Sequence, residues 1–446
     1  MKRDITNKYW DAELETLPRE ELETRQLADL KEIVKFAYDN APYYKRSFDE
    51  AGVKPEDIKK LSDIQKFPFI DKKTQRDTQG VGSFLGELCA VPEEDVIFIS
   101  TSSGSTGVPT MSPFTKKDFD EFQDTESRWF WQIGMRPKDR YVHALNFSLY
   151  VGGPDVIGAQ NLGALCIWGG TLPSERLLFV LKTYQPTIIW TSPSYAWQLG
   201  EKALKCGIDP KKDLSIKKII VAGELGGSID ATRKAIEDLW GAEVYDFYGL
   251  SDIFGACAAM CEAKDGLHIA ENHILVETVD IHTGEVLEPG QVGELVFTTL
   301  RKHARPLIRF RTGDIGWIDN TPCSCGRTHG RIHISGRKDD MFIVSAVNVF
   351  PSDIEAVIRE LSGITGEYLI RVFDKDFTCK YSVEIEKNAD SPESDDTVAA
   401  RVSDALKARI GVKPYSVIVH PDGGLDTRSE HKSRRIIDER KLDFTI

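Results

Sequence analysis

The sequence predicts an α/β fold: a large N-terminal domain with parallel sheets covered by helices plus an antiparallel subdomain, followed by a small α+β C-terminal domain. Three observations predict it. Short apolar runs alternate with helical ones between residues 165 and 248. Beyond Gly266 the pattern becomes strands separated by turn pairs, Thr283-Gly284 and Pro289-Gly290. Past Gly336-Arg337-Lys338-Asp339-Asp340 a new helix, VFPSDIEAVIREL, opens on Pro351 and Ser352. These give an N-terminal domain over 1–335, a linking segment over 336–340 and a C-terminal domain over 341–446. A chain of 446 residues exceeds what one hydrophobic core usually supports.

Taken in order, residues 22–38 place Leu27, Leu30, Ile33, Val34, Ala37 and Tyr38 at the three-to-four spacing of a helix with one buried face. The segment 43–77 has short helical and turn signals, with Pro68 breaking the pattern before Asp71, and nothing in it reads as catalytic. Apolar residues 96–99 read as a strand that empties into the Ser/Gly stretch ISTSSGSTGVPT. The runs 165–168, 187–190, 219–222 and 243–248 read as strands, and 174–184, 194–204 and 231–240 as the helices between them. Buried strands separated by helices of about ten residues form a parallel sheet covered on both faces. Ligands of such sheets sit beyond the carboxyl ends of the strands. That rule points to Gly223 and Glu224, and to Tyr248, Gly249, Leu250, Ser251 and Asp252.

Composition narrows the function. A hydrophobic content of 41% with 28% charged residues is that of a globular chain, and no apolar run approaches the ~20 residues that span a bilayer. The amino end, MKRDITNKYWDAELE, lacks the apolar segment of a secretory signal, so the expected location is the cytoplasm. A net charge of −13 argues against a nucleic-acid partner, because phosphate neutralisation over a broad face needs clustered Lys and Arg. Eight cysteines are too sparse for a disulfide scaffold. The close pair Cys323 and Cys325 suggests metal instead.

The Ser/Gly stretch has the chemistry of a phosphate-gripping loop. Gly104 and Gly107 permit turns closed to residues with a Cβ, while Ser102, Ser103, Ser105 and Thr106 offer hydroxyl donors. A flexible Ser/Gly linker has the same composition, so the stretch alone admits both readings. No Gly-Lys-Ser/Thr closes it, which disfavours a Walker-type site. Cys261, His268, Cys323 and Cys325 form a Cys-x6-His and a Cys-x-Cys, a donor set suited to tetrahedral zinc with no open position, hence structural. His273, His329 and Cys257 are the alternative ligands.

Seven stretches occur in a telling order: SSGSTGVPT, VAGELGGS, YDFYGLSD, RFRTGDIG, CSCGRTHGRI, GRKDDMFIVSAVNVFPSDIE and RSEHKSRRIID. Together, along nearly the whole chain, they resemble the adenylate-forming (AMP-binding) enzymes. Within these they resemble the phenylacetate–coenzyme A ligase family, including its coenzyme F390 synthetase-like members. The resemblance implies an acid–thiol ligase using ATP, Mg2+ and coenzyme A. An aromatic or arylacetic carboxylate would become an acyl-AMP with release of pyrophosphate, and then the coenzyme A thioester with release of AMP. Three other outcomes stay open: a non-coenzyme A acceptor, F390 synthetase-like activity, and a non-catalytic nucleotide-binding relative. It implies a mobile C-terminal domain, a structural zinc in part of the family, small-molecule partners with no membrane, and leaves a homodimer open.

Residue by residue, the resemblance implies the following roles. Lys432 is the catalytic cation. Ser102, Ser103, Gly104, Ser105, Thr106 and Gly107 grip phosphate; Gly223, Glu224, Asp246, Tyr248, Gly249 and Ser251 border the nucleotide; Asp314 and Arg337 reach its ribose. Asp252 stands where relatives carry a magnesium-holding Glu. Leu145, Phe147, Tyr150, Ala222 and Gly249 line the acyl site, and Asp339 is the hinge. Two further departures are Val108, where relatives often have Lys, and Ala346, where they commonly have Gly beside the pantetheine passage.

Overall fold

A computed structural model describes residues 3–102, 109–145, 152–170, 172–344, 347–375, 378–425 and 435–441. Ser103, Gly104, Ser105, Thr106, Gly107, Val108, Phe147, Tyr150, Ala346 and Lys432 lie outside the described residues.

The helix Arg19–Asn40 buries Leu22, Leu30, Ile33, Val34 and Ala37 along one face, as the spacing requires. It stops before Pro42, which starts the next helix, because a residue preceding proline is pushed out of helical geometry. The strands Val96–Thr101 and Met111–Thr115 pair antiparallel and hold the Ser/Gly stretch between them. Thr115 then caps the helix Lys116–Gln132, whose Asp118 side chain returns the bond.

The strand and helix alternation produces one 11-stranded sheet. Leu165–Trp168, Arg140–His143, Ile188–Thr191, Lys218–Ala222 and Glu243–Gly249 lie side by side and parallel. The antiparallel part does not form a sheet of its own. It continues the parallel one through Ala256–Met260, Leu267–Ile269, Arg331–Arg337, Phe310–Asp319, Gly293–Thr299 and Ile274–Val279. The join is the tight turn after Glu243–Gly249, a strand that pairs parallel on one side and antiparallel on the other. A Cβ on Gly249 would lie 1.8 Å from the carbonyl oxygen of Gly255, so only glycine allows the two strands to close there.

Residues from Phe342 onward build a separate core around Ile370, Val383, Val398 and Leu406. It comprises the hairpin Phe342–Val344 and Val347–Val349, the helices Pro351–Glu360 and Asp395–Ile410, and a four-stranded sheet. Polar contacts tie it to the large sheet and to one of its helices: Ser352 donates to the Ser335 carbonyl on the strand Arg331–Arg337, and Thr232 on the helix Asp230–Trp240 donates to Glu355 at 3.0 Å. Among the described residues no helix is long and apolar enough to cross a membrane.

Candidate active site

Among the described residues, Gly223, Glu224, Tyr248, Gly249, Ser251 and Asp252 lie at the carboxyl ends of the parallel strands Lys218–Ala222 and Glu243–Gly249. Gly223 follows Lys218–Ala222 with a φ of +84° and open space where a Cβ would sit. Glu224 accepts from Ser194 at 2.6 Å, and Ala222 is half-buried behind it. Asp246 is buried and accepts from Ser228 at 2.5 Å; burial raises its carboxyl to about 7. Ser251 lends its carbonyl to the Ser100 hydroxyl at 3.0 Å, fixing the turn against the Ser/Gly ribbon. Ser102 closes the base of that ribbon, bonding Thr110 from both backbone (3.1 Å) and hydroxyl (2.7 Å).

Asp314 sits opposite Arg337 on the neighbouring strand. Its Oδ1 accepts from Arg337 at 2.7 Å and its Oδ2 from the Tyr248 hydroxyl at 2.5 Å. Burial pushes the Asp314 carboxyl up, and Arg337 and Tyr248 pull against that rise. The result is an anchored carboxylate aimed across the strand ends, a geometry suited to accepting bonds from neighbouring hydroxyls. Arg337 is partly exposed and also approaches Asp339 at 3.5 Å. Strand pairing runs through Lys338, whose N–H meets the Gly313 carbonyl at 2.7 Å, and the chain then turns at Asp340 and Met341.

Asp252 has partners other than those expected of a metal ligand. Lys72 donates to its Oδ2, Thr110 donates to Oδ1 at 3.2 Å, and Arg305 stands 3.8 Å away. Burial alone would raise the Asp252 carboxyl; Lys72 and Arg305 outweigh it and hold the group below its usual range. A hard cation needs free oxygens, and these are occupied by cationic side chains, so the donor set does not fit Mg2+ as it stands. Lys72, Lys302 and Arg305 were not legible as site residues. Lys72 precedes Lys73, whose ammonium merely pairs with Asp77 one turn on, and nothing in the sequence separates the two.

Leu145 is half-buried, 3.3 Å from where a Cβ on Gly152 would sit. Nearby, two carboxyls share the space above Gly255: Glu126 and Asp155 oxygens lie 2.5 and 2.7 Å from its Cβ position. Glu126 accepts from the Ala256 N–H at 2.7 Å. Among the described residues its Oε2 and the Asp155 Oδ1 have no hydrogen-bond partner, and burial pushes both carboxyls well up.

Cys261, His268 and the Cys323-x-Cys325 loop converge from three separate stretches, their four donor atoms all within 4.8 Å of one another. Cys261 and Cys323 sulfurs are 3.7 Å apart, and the Cys325 sulfur is 3.2 Å from His268 Nε2. Zn–S bonds of about 2.3 Å at tetrahedral angles place sulfurs about 3.8 Å apart, so the set fits zinc. His268 Nδ1 faces the His329 carbonyl at 2.9 Å, which turns Nε2 inward. The alternatives are engaged elsewhere: His329 with Ile269 and Leu14 carbonyls, His273 with Glu121, and Cys257 with the Tyr248 carbonyl.

Comparison with known proteins agrees with this arrangement. The AMP-binding enzyme family model matches residues 17–300, and the AMP-binding enzyme C-terminal domain matches residues 346–440. The phenylacetate-coenzyme A ligase of Thermus thermophilus is 35% identical over 97% of this chain and 100% of its own length. A 2-hydroxyisobutyryl-CoA ligase, solved in the postadenylation state with R3-HIB-AMP, superposes with a TM-score of 0.91 at 28% identity, covering 99% of this chain and 95% of that one. The same ligase in its thioesterification state with 2-HIB-AMP and CoA gives 0.73 at 29% identity, covering 99% and 96%. The two-core arrangement described above is thus nearer to the postadenylation one. The chain belongs to the AMP-binding enzymes and, within them, to the phenylacetate–coenzyme A ligase family.

Proposed function

We propose that the chain is an ATP-dependent aryl-coenzyme A ligase. A carboxylate oxygen of the acid attacks the α-phosphorus of ATP, the bond to pyrophosphate breaks, and an acyl-AMP forms. The coenzyme A thiolate then attacks the acyl carbon, and the carbon–oxygen bond to AMP breaks. A carboxylate is a poor electrophile, and joining it to AMP supplies the leaving group that a thiol can expel. Positioning and charge stabilisation carry such chemistry, with no need for a nucleophilic side chain.

The observation that carries the reading is the Tyr248–Asp314–Arg337 cluster where the last parallel strand meets the antiparallel part of the sheet. In this reading Asp314 accepts the ribose hydroxyls, Gly223 leaves room for adenine, the Gly249 backbone borders the acyl group, and Ser102 to Gly107 hold the phosphates. Lys432 approaches the reacting carboxylate from the C-terminal domain. That domain, 341–446, turns about 336–340 with Asp339 as hinge, consistent with the two TM-scores. Leu145, Phe147 and Tyr150 border an aromatic acid. Cys261, His268, Cys323 and Cys325 hold a structural zinc that staples the antiparallel strands. The enzyme works on small molecules in the cytoplasm.

Incubation with ATP, Mg2+, coenzyme A and a panel of aromatic acids, read by mass spectrometry, tests the reading. An acyl-coenzyme A product for at least one aryl acid is expected. Acyl-AMP that accumulates unchanged when coenzyme A is added would assign the second step to another acceptor.

A further inference from the structure

The Ser/Gly stretch carries Val108 and no lysine of its own, so the fixed positive charge for a phosphate chain has to come from elsewhere. Beneath its exit, at Pro109 and Thr110, three basic side chains gather round Asp252: Lys72 and Arg305 at its carboxylate and Lys302 at its backbone carbonyl. Lys302 is buried and donates to the carbonyls of Asp252 (2.9 Å) and Ile253 (2.6 Å) and to Ser112, with Asp118 in electrostatic reach. Arg305 is equally buried, 3.8 Å from Asp252 and 3.2 Å from the Gln75 side-chain oxygen. Lys72 differs: its side chain is 31% exposed against 3% for Arg305. Its ammonium stands 3.5 Å from the Thr110 hydroxyl and within electrostatic reach of Asp314 and Arg337. The segment bearing it grips the loop's exit again at its far end, where Gln79 donates to the Pro109 carbonyl at 3.1 Å and accepts from the Met111 N–H at 2.7 Å.

Lys302 is spent on backbone carbonyls and Arg305 is buried against Asp252, whereas the accessible member of the group, Lys72, lies between the Thr110 hydroxyl and the Asp314–Arg337 pair. We propose that Lys72 supplies the fixed positive charge of the phosphate site, binding the phosphate chain of ATP beyond the α-phosphate. Asp252 is then a positioning residue that holds the Lys72 ammonium at the loop's exit. This rests on the reading that the chain binds ATP, and it replaces the expected metal-ligand role of Asp252 with a lysine anchor.

Titration calorimetry of ATP and of AMP against the wild type, Lys72→Met and Lys72→Met/Val108→Lys tests the proposal, with thermal melts reporting folding. Losing one charge-assisted phosphate contact costs about tenfold or more in affinity. Lys72→Met is therefore expected to weaken ATP by about tenfold while AMP stays within about twofold. The double variant should recover most of the loss. Equal loss of ATP and AMP, or no loss of ATP, overturns the proposal. In the otherwise unchanged chain Val108→Lys should raise ATP affinity by less than about threefold, because the charge is already present. A gain of about tenfold overturns the proposal even if Lys72→Met fails to fold. Asp252→Asn should weaken ATP by the same factor in EDTA and in Mg2+; a loss seen only with Mg2+ restores the metal-ligand role and removes the anchor. A wild-type chain that binds neither nucleotide overturns the ATP reading together with this one, whereas ATP binding indifferent to Lys72 overturns this one alone.

Discussion

Tyr248 and Asp314, 66 positions apart, meet through a 2.5 Å hydrogen bond that joins the last parallel strand to the antiparallel part of the sheet. Arg337 holds the other oxygen of the same carboxylate at 2.7 Å. In its proposed role Asp314 accepts the ribose hydroxyls as a carboxylate, and burial works against that ionisation. Arg337→Met is expected to raise the Asp314 pKa further, so that AMP affinity begins to fall at a higher pH as the solution is acidified. Dissociation constants for AMP across the acid range, wild type against variant, check the direction; an unmoved acid limb contradicts the role of Arg337.

Asp246 offers a test in stability. Its carboxyl, raised to about 7 by burial, favours the protonated form in the folded chain. Stability from that preference is complete below the unfolded value near 4 and is lost as pH rises through about 7. Asp246→Asn removes the titration. Relative to the variant, the wild type should lose up to about 1.4 kcal/mol per pH unit between pH 5 and 7 and nothing further above it. Urea unfolding at several pH values reads this, and parallel curves for the two proteins would refute the buried titration.

The Cys261, His268, Cys323 and Cys325 cluster predicts one bound zinc per chain. Four protein ligands leave no open position, so removal acts on stability. Cys325→Ser is expected to lower the melting temperature by about 5 °C or more and to abolish zinc in elemental analysis. A zinc-free wild type with an unaltered melt in chelator would empty the site of meaning.

Between the two cores, Thr232 donates to Glu355, which also accepts from Tyr368 at 2.8 Å. This bond belongs to the arrangement nearer the postadenylation state. Thr232→Val should slow acyl-AMP formation by about three- to tenfold, a loss of about one hydrogen bond, and leave the thioester step from supplied acyl-AMP unchanged. Equal slowing of both half-reactions would mean the contact serves folding alone.

Much of this was legible in the chain. The strands 219–222 and 243–248 were marked by apolar runs between amphipathic helices, and Gly223 and Tyr248 by their place at strand ends, whereas Asp314 was marked only by the resemblance of RFRTGDIG to the family. The grouping of Cys261, His268, Cys323 and Cys325 was legible from donor type, although spacing alone could not bring Cys261 and Cys323 within 3.7 Å. The single mixed sheet was not legible, because a two-residue period does not say which strand edges join, and the Gly249–Gly255 approach that joins them is a contact of backbones. Lys72 was missed for a related reason. Its partner Asp252 lies 180 residues away, and a lysine on a short polar helix has no periodic mark that separates a buried head group from a solvated one.

The most direct test of the account is acid-dependent exchange of labelled pyrophosphate into ATP, measured without coenzyme A across aromatic, arylacetic and aliphatic acids. Exchange that requires an acid, is greatest for an aromatic one and is lost in Lys432→Ala is the predicted result. Tight ATP binding with no exchange for any acid would contradict adenylation and leave a nucleotide-binding protein in its place.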